Sequence, residues 1–191
     1  MNVNFIRDSA ADPKRQRIMD SAMAVVLRYG FQRATMDDVA KEAGISRPAL
    51  YLLFRNKTDI YRALAESIMG QALDAARAAL CGEGPAEARV FAAIKAGILD
   101  PMDFLMATAH GAELLDMKHA MAADALLTWR TQKAAMIAQA LETSGAAKAK
   151  GMSGAELADI LLDGIEGLKL RAKTSAEREQ GARALVRLIA G

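Results

Sequence analysis

Apolar residues recur at intervals of three and four along almost the whole chain, and nowhere do β-branched or aromatic residues alternate with polar ones over a sustained stretch. That period fits one face of an α-helix and not the pleat of a strand, so the expected fold class is all-α. A chain of 191 residues buries roughly 70% of its unfolded surface when compact, enough for one or two domains without a covalent staple. The single cysteine, Cys81, has no second cysteine to pair with and reads as a small packing residue in a reducing compartment. Residues 1–17 hold no apolar leader-like stretch, and no run of about 18 apolar residues appears anywhere. A cytoplasmic location with no membrane partner is expected.

Stop and start signals divide the pattern into helices. The first is expected over Pro13 to Tyr29, with Ile18, Ala22, Val25, Val26 and Tyr29 as its apolar stripe and Gly30 as its stop. Thr35 is a good N-cap for a short second helix that turns Met36, Val39, Ala40 and Ala43 inward, with Asp37 and Asp38 favoured by the dipole in its first turn. Gly44 ends that helix, and Ser46 caps a third with Pro48 in its first turn and Leu50 and Phe54 on the buried side. Two short helices across a tight glycine turn make a helix-turn-helix. A longer helix over Thr58 to Leu80 follows, then helices over Ala86 to Ile98, Pro101 to Met117 and Ala120 to Thr143, a loop over Ser144 to Gly151, and two helices opened by Ser153/Glu156 and Thr174/Glu177 capping boxes.

The run Thr35-Met-Asp-Asp-Val-Ala-Lys-Glu-Ala-Gly-Ile-Ser-Arg-Pro-Ala-Leu-Tyr-Leu-Leu-Phe54, followed by Asn56-Lys57, closely resembles the N-terminal motif of the tetracycline-repressor (TetR) family. The match covers residues 13–66; the remainder is similar only in length and helicity. The resemblance implies an N-terminal three-helix DNA-binding domain, residues 1–58 and ordered from about 13, and a helical effector-binding and dimerisation domain, residues 59–191, with roughly nine or ten helices in all. It also implies a homodimer formed through the last two helices, operator DNA as partner, and an effector held among the central helices.

Physical chemistry gives the motif residues their roles. A helix-turn-helix presents the start of its second helix to base edges, which selects Arg47, Pro48 and Ala49 as readers: Arg47 can donate two hydrogen bonds to guanine, and its neighbours can pack on thymine methyls. Tyr51 is expected at the backbone or a pyrimidine edge. Lys57 matches the family's phosphate-contacting lysine, Thr35 and its helix N-terminus offer a further phosphate site through free backbone amides, and the cap Ser46 completes the DNA-binding set. Leu52 and Leu53 occupy a slot where an aromatic or polar residue often contacts the backbone, and Arg7, Lys14, Arg15 and Arg17 are placed to compensate. Residues 1–66 carry 11 Lys and Arg against 8 Asp and Glu, while the rest carries 14 against 15. The positive excess lies where phosphates would be met.

Beyond the motif, the central helices are rich in thioethers and poor in convergent charge. Phe91, Met102, Met106, Leu114, Met117, Met121 and Trp129 are therefore expected to line a site for a small apolar or amphipathic effector, with His110 or Glu113 as a polar anchor. Leu157, Ile160, Leu161, Gly164, Ile165, Leu168, Leu185, Val186, Leu188 and Ile189 offer more apolar surface than a two-helix hairpin can bury, which marks them for the dimer interface. His110 and Glu113 read better as a hydrogen-bonded pair than as metal ligands, because no third ligand accompanies them, and no cofactor is expected. A helical-bundle carrier or enzyme is the alternative function, but it lacks a catalytic constellation and leaves Thr35 to Lys57 unexplained.

Overall fold

The computed structural model describes residues 12–111, 113–114 and 123–191. Their regular structure is helical: α1 (Pro13–Tyr29), α2 (Met36–Glu42), α3 (Arg47–Tyr51), α4 (Lys57–Leu80), α5 (Ala86–Ile94), a π-helical turn (Lys95–Leu99), α6 (Asp100–Met106), α7 (Ala123–Thr143), α8 (Ala146–Lys150), α9 (Gly154–Arg171) and α10 (Ser175–Ala190). The fold is all-α, and among the described residues no helix is long and apolar enough to cross a membrane.

The chain forms two compact units. One contains the described residues of Met1–Gln71 and Phe104–Leu126, the other Ala72–Asp103 and Leu127–Gly191. The division differs from the single boundary at 58/59 expected from sequence. No helix-breaking residue interrupts α4 at that point, and the apolar side chains of Phe104, Leu105 and Leu114 join the core built by α1 to α4.

In the N-terminal unit, Ile18, Met23, Leu50, Ile60 and Leu64 are fully buried, so one stripe from each of α1, α3 and α4 meets in a single core. Asp12 caps α1 by accepting the Lys14 N–H at 2.9 Å. In the second unit, Val90, Ile94, Leu99, Ile137, Leu141, Leu161, Ile165 and Val186 form the core, with α9 and α10 packed as a hairpin and α10 against α5. Gly164 permits that hairpin to close: a β-carbon there would lie 2.8 Å from a methyl of Leu185.

Several expected elements take another form. The helix from Ala86 neither stops at Ile98 nor restarts at Pro101; it passes through the π turn into α6, with Pro101 directly after that turn, where the regular hydrogen-bond ladder is already interrupted. The helix expected to reach Met117 gives way to a turn after Met106. The expected loop over Ser144 to Gly151 contains α8, a single helical turn bounded by Gly145 and Gly151, both left-handed at φ +82° and +67°. Thr174 caps α10, but the Glu177 carboxylate accepts the Lys173 N–H and not that of the cap, so only half of the box forms.

Candidate nucleic-acid interface

Local bonds fix the helix-turn-helix residue by residue. The Thr35 hydroxyl accepts the Asp38 N–H at 3.1 Å, and the Asp38 carboxylate accepts the Thr35 N–H at 3.0 Å and its hydroxyl at 2.6 Å. These two donors, the hydroxyl first, hold the Asp38 carboxyl below its ordinary range. The box thus engages the Thr35 and Asp38 amides within the protein, two of those expected to be free at the start of α2. At the other end of α2, Ile45 donates to the Ala40 carbonyl at 3.0 Å and Gly44 to that of Lys41 at 3.2 Å, with Gly44 at φ +64°. This pair of bonds is a Schellman turn, which delivers the chain to Ser46 with no residue to spare.

The Ser46 hydroxyl accepts the Ala49 N–H at 3.3 Å and starts α3. Leu50 is fully buried, while Arg47, Pro48 and Tyr51 are exposed and Ala49 is half-buried. The head of α3 thus presents the three residue types expected to read bases. Arg47 lies 3.1 Å from the Asp37 carboxylate and stacks 5.6 Å from the centre of the Tyr51 ring. Both partners are exposed and screened by solvent, so the pair leaves the Arg47 guanidinium accessible at the surface. Leu52 is 84% exposed beside this edge, whereas Leu53 packs on the core, which separates two residues the sequence could only group together.

Lys57 stands differently. Its ammonium donates to the carbonyls of Phe31 at 3.0 Å, Gln32 at 3.2 Å and Ala34 at 3.1 Å, and lies 4.5 Å from the centre of the Phe31 ring. All three N–H donors are engaged within the protein, so the position matched to a phosphate-contacting lysine here ties down the turn between α1 and α2.

The residues expected to hold an effector divide between the units. Phe91 and Met102 are buried in the second unit, and Trp129 packs against its core. Met106, His110, Glu113 and Leu114 belong to the N-terminal unit, and Met117 and Met121 lie outside the described residues. His110 Nδ1 lies 3.0 Å from one Glu113 oxygen while the other accepts the Phe31 N–H at 2.9 Å. These two contacts, His110 first, hold the Glu113 carboxyl below its ordinary range. Among the described residues no third His, Cys, Asp or Glu joins them in a metal-holding group. Periodicity gave no sign of two buried cations in the second unit: Lys133, 3% exposed and 3.1 Å over the Trp129 ring, and Arg178, which pairs with Asp103.

The dimer residues need the largest correction. Leu157, Leu161, Ile165, Leu168, Val186 and Ile189 are buried in the protomer's own core, Gly164 and Leu185 pack on each other, and only Ile160 (50%) and Leu188 (70%) are exposed. Leu170, unselected from sequence, is exposed on the same helix as Ile160.

Comparison with known proteins agrees with the N-terminal geometry. Residues 18–64 match the family described as bacterial regulatory proteins, tetR family. Over 62 residues the chain is 36% identical to the fatty acid metabolism regulator protein of Bacillus subtilis (strain 168), covering 32% of each chain. Over 63 residues it is 40% identical to the uncharacterized HTH-type transcriptional regulator TtgW of Pseudomonas putida, covering 32% of this chain and 47% of that one. The aligned region thus spans about a third to a half of the length of these relatives. The whole fold is similar to that of the fatty acid degradation regulator FadR from Bacillus halodurans, with a TM-score of 0.66 at 19% identity, covering 95% of this chain and 96% of that one.

Proposed function

We propose that the chain is a ligand-responsive transcription regulator of the tetR family of bacterial regulatory proteins, acting as a repressor, whose dimer binds a palindromic operator. The observation that carries this reading is the exposed edge of Arg47, Pro48 and Tyr51 at the head of a capped α3, placed by a Schellman turn after α2. In it Arg47 reads a guanine, Pro48 and Ala49 meet thymine methyls, and Tyr51 and Leu52 lie along the backbone. Two such domains related by a two-fold axis read inverted half-sites about 34 Å or somewhat more apart.

Dimerisation through the outer faces of α9 and α10 is supported by Ile160, Leu170 and Leu188, large apolar side chains left in solvent by the protomer. The effector is apolar or amphipathic, and Phe91, Met102 and Trp129 of the second unit supply its apolar contacts. Nothing in the described residues favours the carrier or enzyme alternative. Selection of bound fragments from genomic DNA, followed by mobility shifts at several salt concentrations, tests the reading. A selected fragment is expected to bind at least roughly a thousandfold more tightly than random DNA at the same salt, and equal affinity for both would sink it.

A further inference from the structure

The turn between α1 and α2 is held from outside the helix-turn-helix, by a residue 82 positions further along the chain. Glu113 accepts the Phe31 N–H at 2.9 Å, and Gly30 makes room for it: at φ +80°, a β-carbon on Gly30 would lie 2.9 Å from both carboxylate oxygens and 3.0 Å from His110 Nδ1. From the next peptide onward, Lys57 draws in the carbonyls of Phe31, Gln32 and Ala34. Phe31 itself stands edge-on to the buried Tyr61 ring, 5.0 Å between centres. Residues 30–34 are thus gripped at the amide by a carboxylate and at the carbonyls by an ammonium. Thr35, the cap of α2, follows directly, and the Schellman turn after α2 passes any displacement on to α3.

From this geometry we infer that Glu113 is a positioning residue for operator binding. It sets the α1–α2 turn, through the turn the placement of α2 and the head of α3, and Lys57 is the inner jaw of the same clamp. The inference rests on the reading of the chain as an operator-binding protein.

The chemistry of the jaw makes the test selective. Glu113→Gln keeps the reach and the acceptor but loses the charge; Glu113→Asp keeps the charge but is one methylene too short; Glu113→Ala loses both. Operator affinity on a selected genomic fragment, and amide exchange of Phe31 by NMR, are measured for the wild type and the three variants, with circular dichroism as a check on folding. E113A and E113D are expected to exchange Phe31 roughly ten- to a hundredfold faster, the range for a hydrogen bond to a charged acceptor, and to bind the operator about tenfold more weakly. E113Q is expected within about threefold of wild type in both. Should E113A fail to fold, E113D against E113Q carries the same comparison. Phe31 exchange unchanged in E113D, operator affinity unchanged in E113D, or E113Q as weak as E113D would each overturn the clamp. If the wild type itself shows no preference for any genomic fragment, the function reading fails, and the exchange data still decide whether the clamp exists.

Discussion

The two units are held together by different means. In the N-terminal unit the helices that matter are short, seven residues in α2 and five in α3, too short to persist by propensity. They exist because every end is tied: Thr35 to Asp38, Gly44 and Ile45 back to α2, Ser46 to Ala49, Lys57 to three carbonyls. The second unit is built from longer amphipathic helices, α7, α9 and α10, whose place is set by burial of leucine and isoleucine against one another. A unit made by end-tying needs polar groups at fixed spacings, whereas one made by burial has many near-equivalent apolar positions. The first kind tolerates changes of surface but not of caps; the second tolerates lost caps but not a charge in its core.

The sharpest break of that comparison lies between two adjacent residues of α9. Leu161 is fully buried and Ile160 half exposed. Leu161→Glu puts a carboxylate into an apolar core and is expected to cost above about 4 kcal/mol, enough to melt the second unit in a circular dichroism scan. Ile160→Glu is expected to leave protomer stability within about 0.5 kcal/mol while sedimentation shows monomers, as is Leu188→Glu. A dimer that survives both exposed substitutions moves the interface away from α9 and α10.

The next largest contrast is between the two cations of the N-terminal unit. Arg47→Ala is expected to cost about 1–3 kcal/mol at the cognate operator, to relax one base position per half-site, and to leave folding stability within about 0.5 kcal/mol, since only an exposed pair is lost. Lys57→Met strands three carbonyls and is expected to lower folding stability by about 1–3 kcal/mol. Its loss of DNA affinity is then shared by all sequences, without the drop in salt slope that a lost phosphate contact gives. Denaturant titrations beside salt-dependent binding separate the two cases. A reduced slope with unchanged stability would return Lys57 to the phosphate.

The same contrast explains what is legible in the sequence. The caps at Thr35, Ser46 and Ser153 and the stops at Gly30 and Gly44 lie within four residues of the groups they serve, so the residue types carry the geometry. Which of Ile160 and Leu161 faces the core depends on α10 and α5, far away in sequence, and periodicity selects both. The π turn is invisible because Lys95–Leu99 has no composition that forbids an α-helix. Glu113 and Lys57 are each visible as residues, but their meeting across Phe31 is not, since it joins side chains to a backbone peptide that any sequence would supply.

The smallest effects compare like with like, because among the described residues each unit contains one complete capping box. In α2 the Asp38 carboxylate serves Thr35; in α9 the Glu156 carboxylate accepts the Ser153 N–H at 2.9 Å and its hydroxyl at 2.7 Å. Hydrogen bonds to the caps hold both carboxyls below their ordinary values, 3.8 for the aspartate and 4.5 for the glutamate. A carboxyl with a lowered folded-state pKa stabilises the fold fully above its unfolded value, and loses that contribution as the pH falls through the folded value. The Glu156 box therefore weakens progressively once the pH drops below about 4.5 and the Asp38 box only below about 3.8, and neither responds between pH 6 and 8. Asp38→Asn and Glu156→Gln keep an acceptor for the cap while removing the titration, so each is expected to flatten the acid limb of a stability profile. The limb is read by denaturant melts from pH 3 to 7. The two substitutions differ in where the loss is felt. Because α2 is seven residues long and has its ends as chief support, Asp38→Asn is expected to speed amide exchange throughout α2. Glu156→Gln is expected to reach only the first turn of α9, whose remaining turns are held by Leu161, Ile165 and Leu168. Equal spread of exchange in both helices would show that end-tying and burial support them alike, and would remove the distinction between the units.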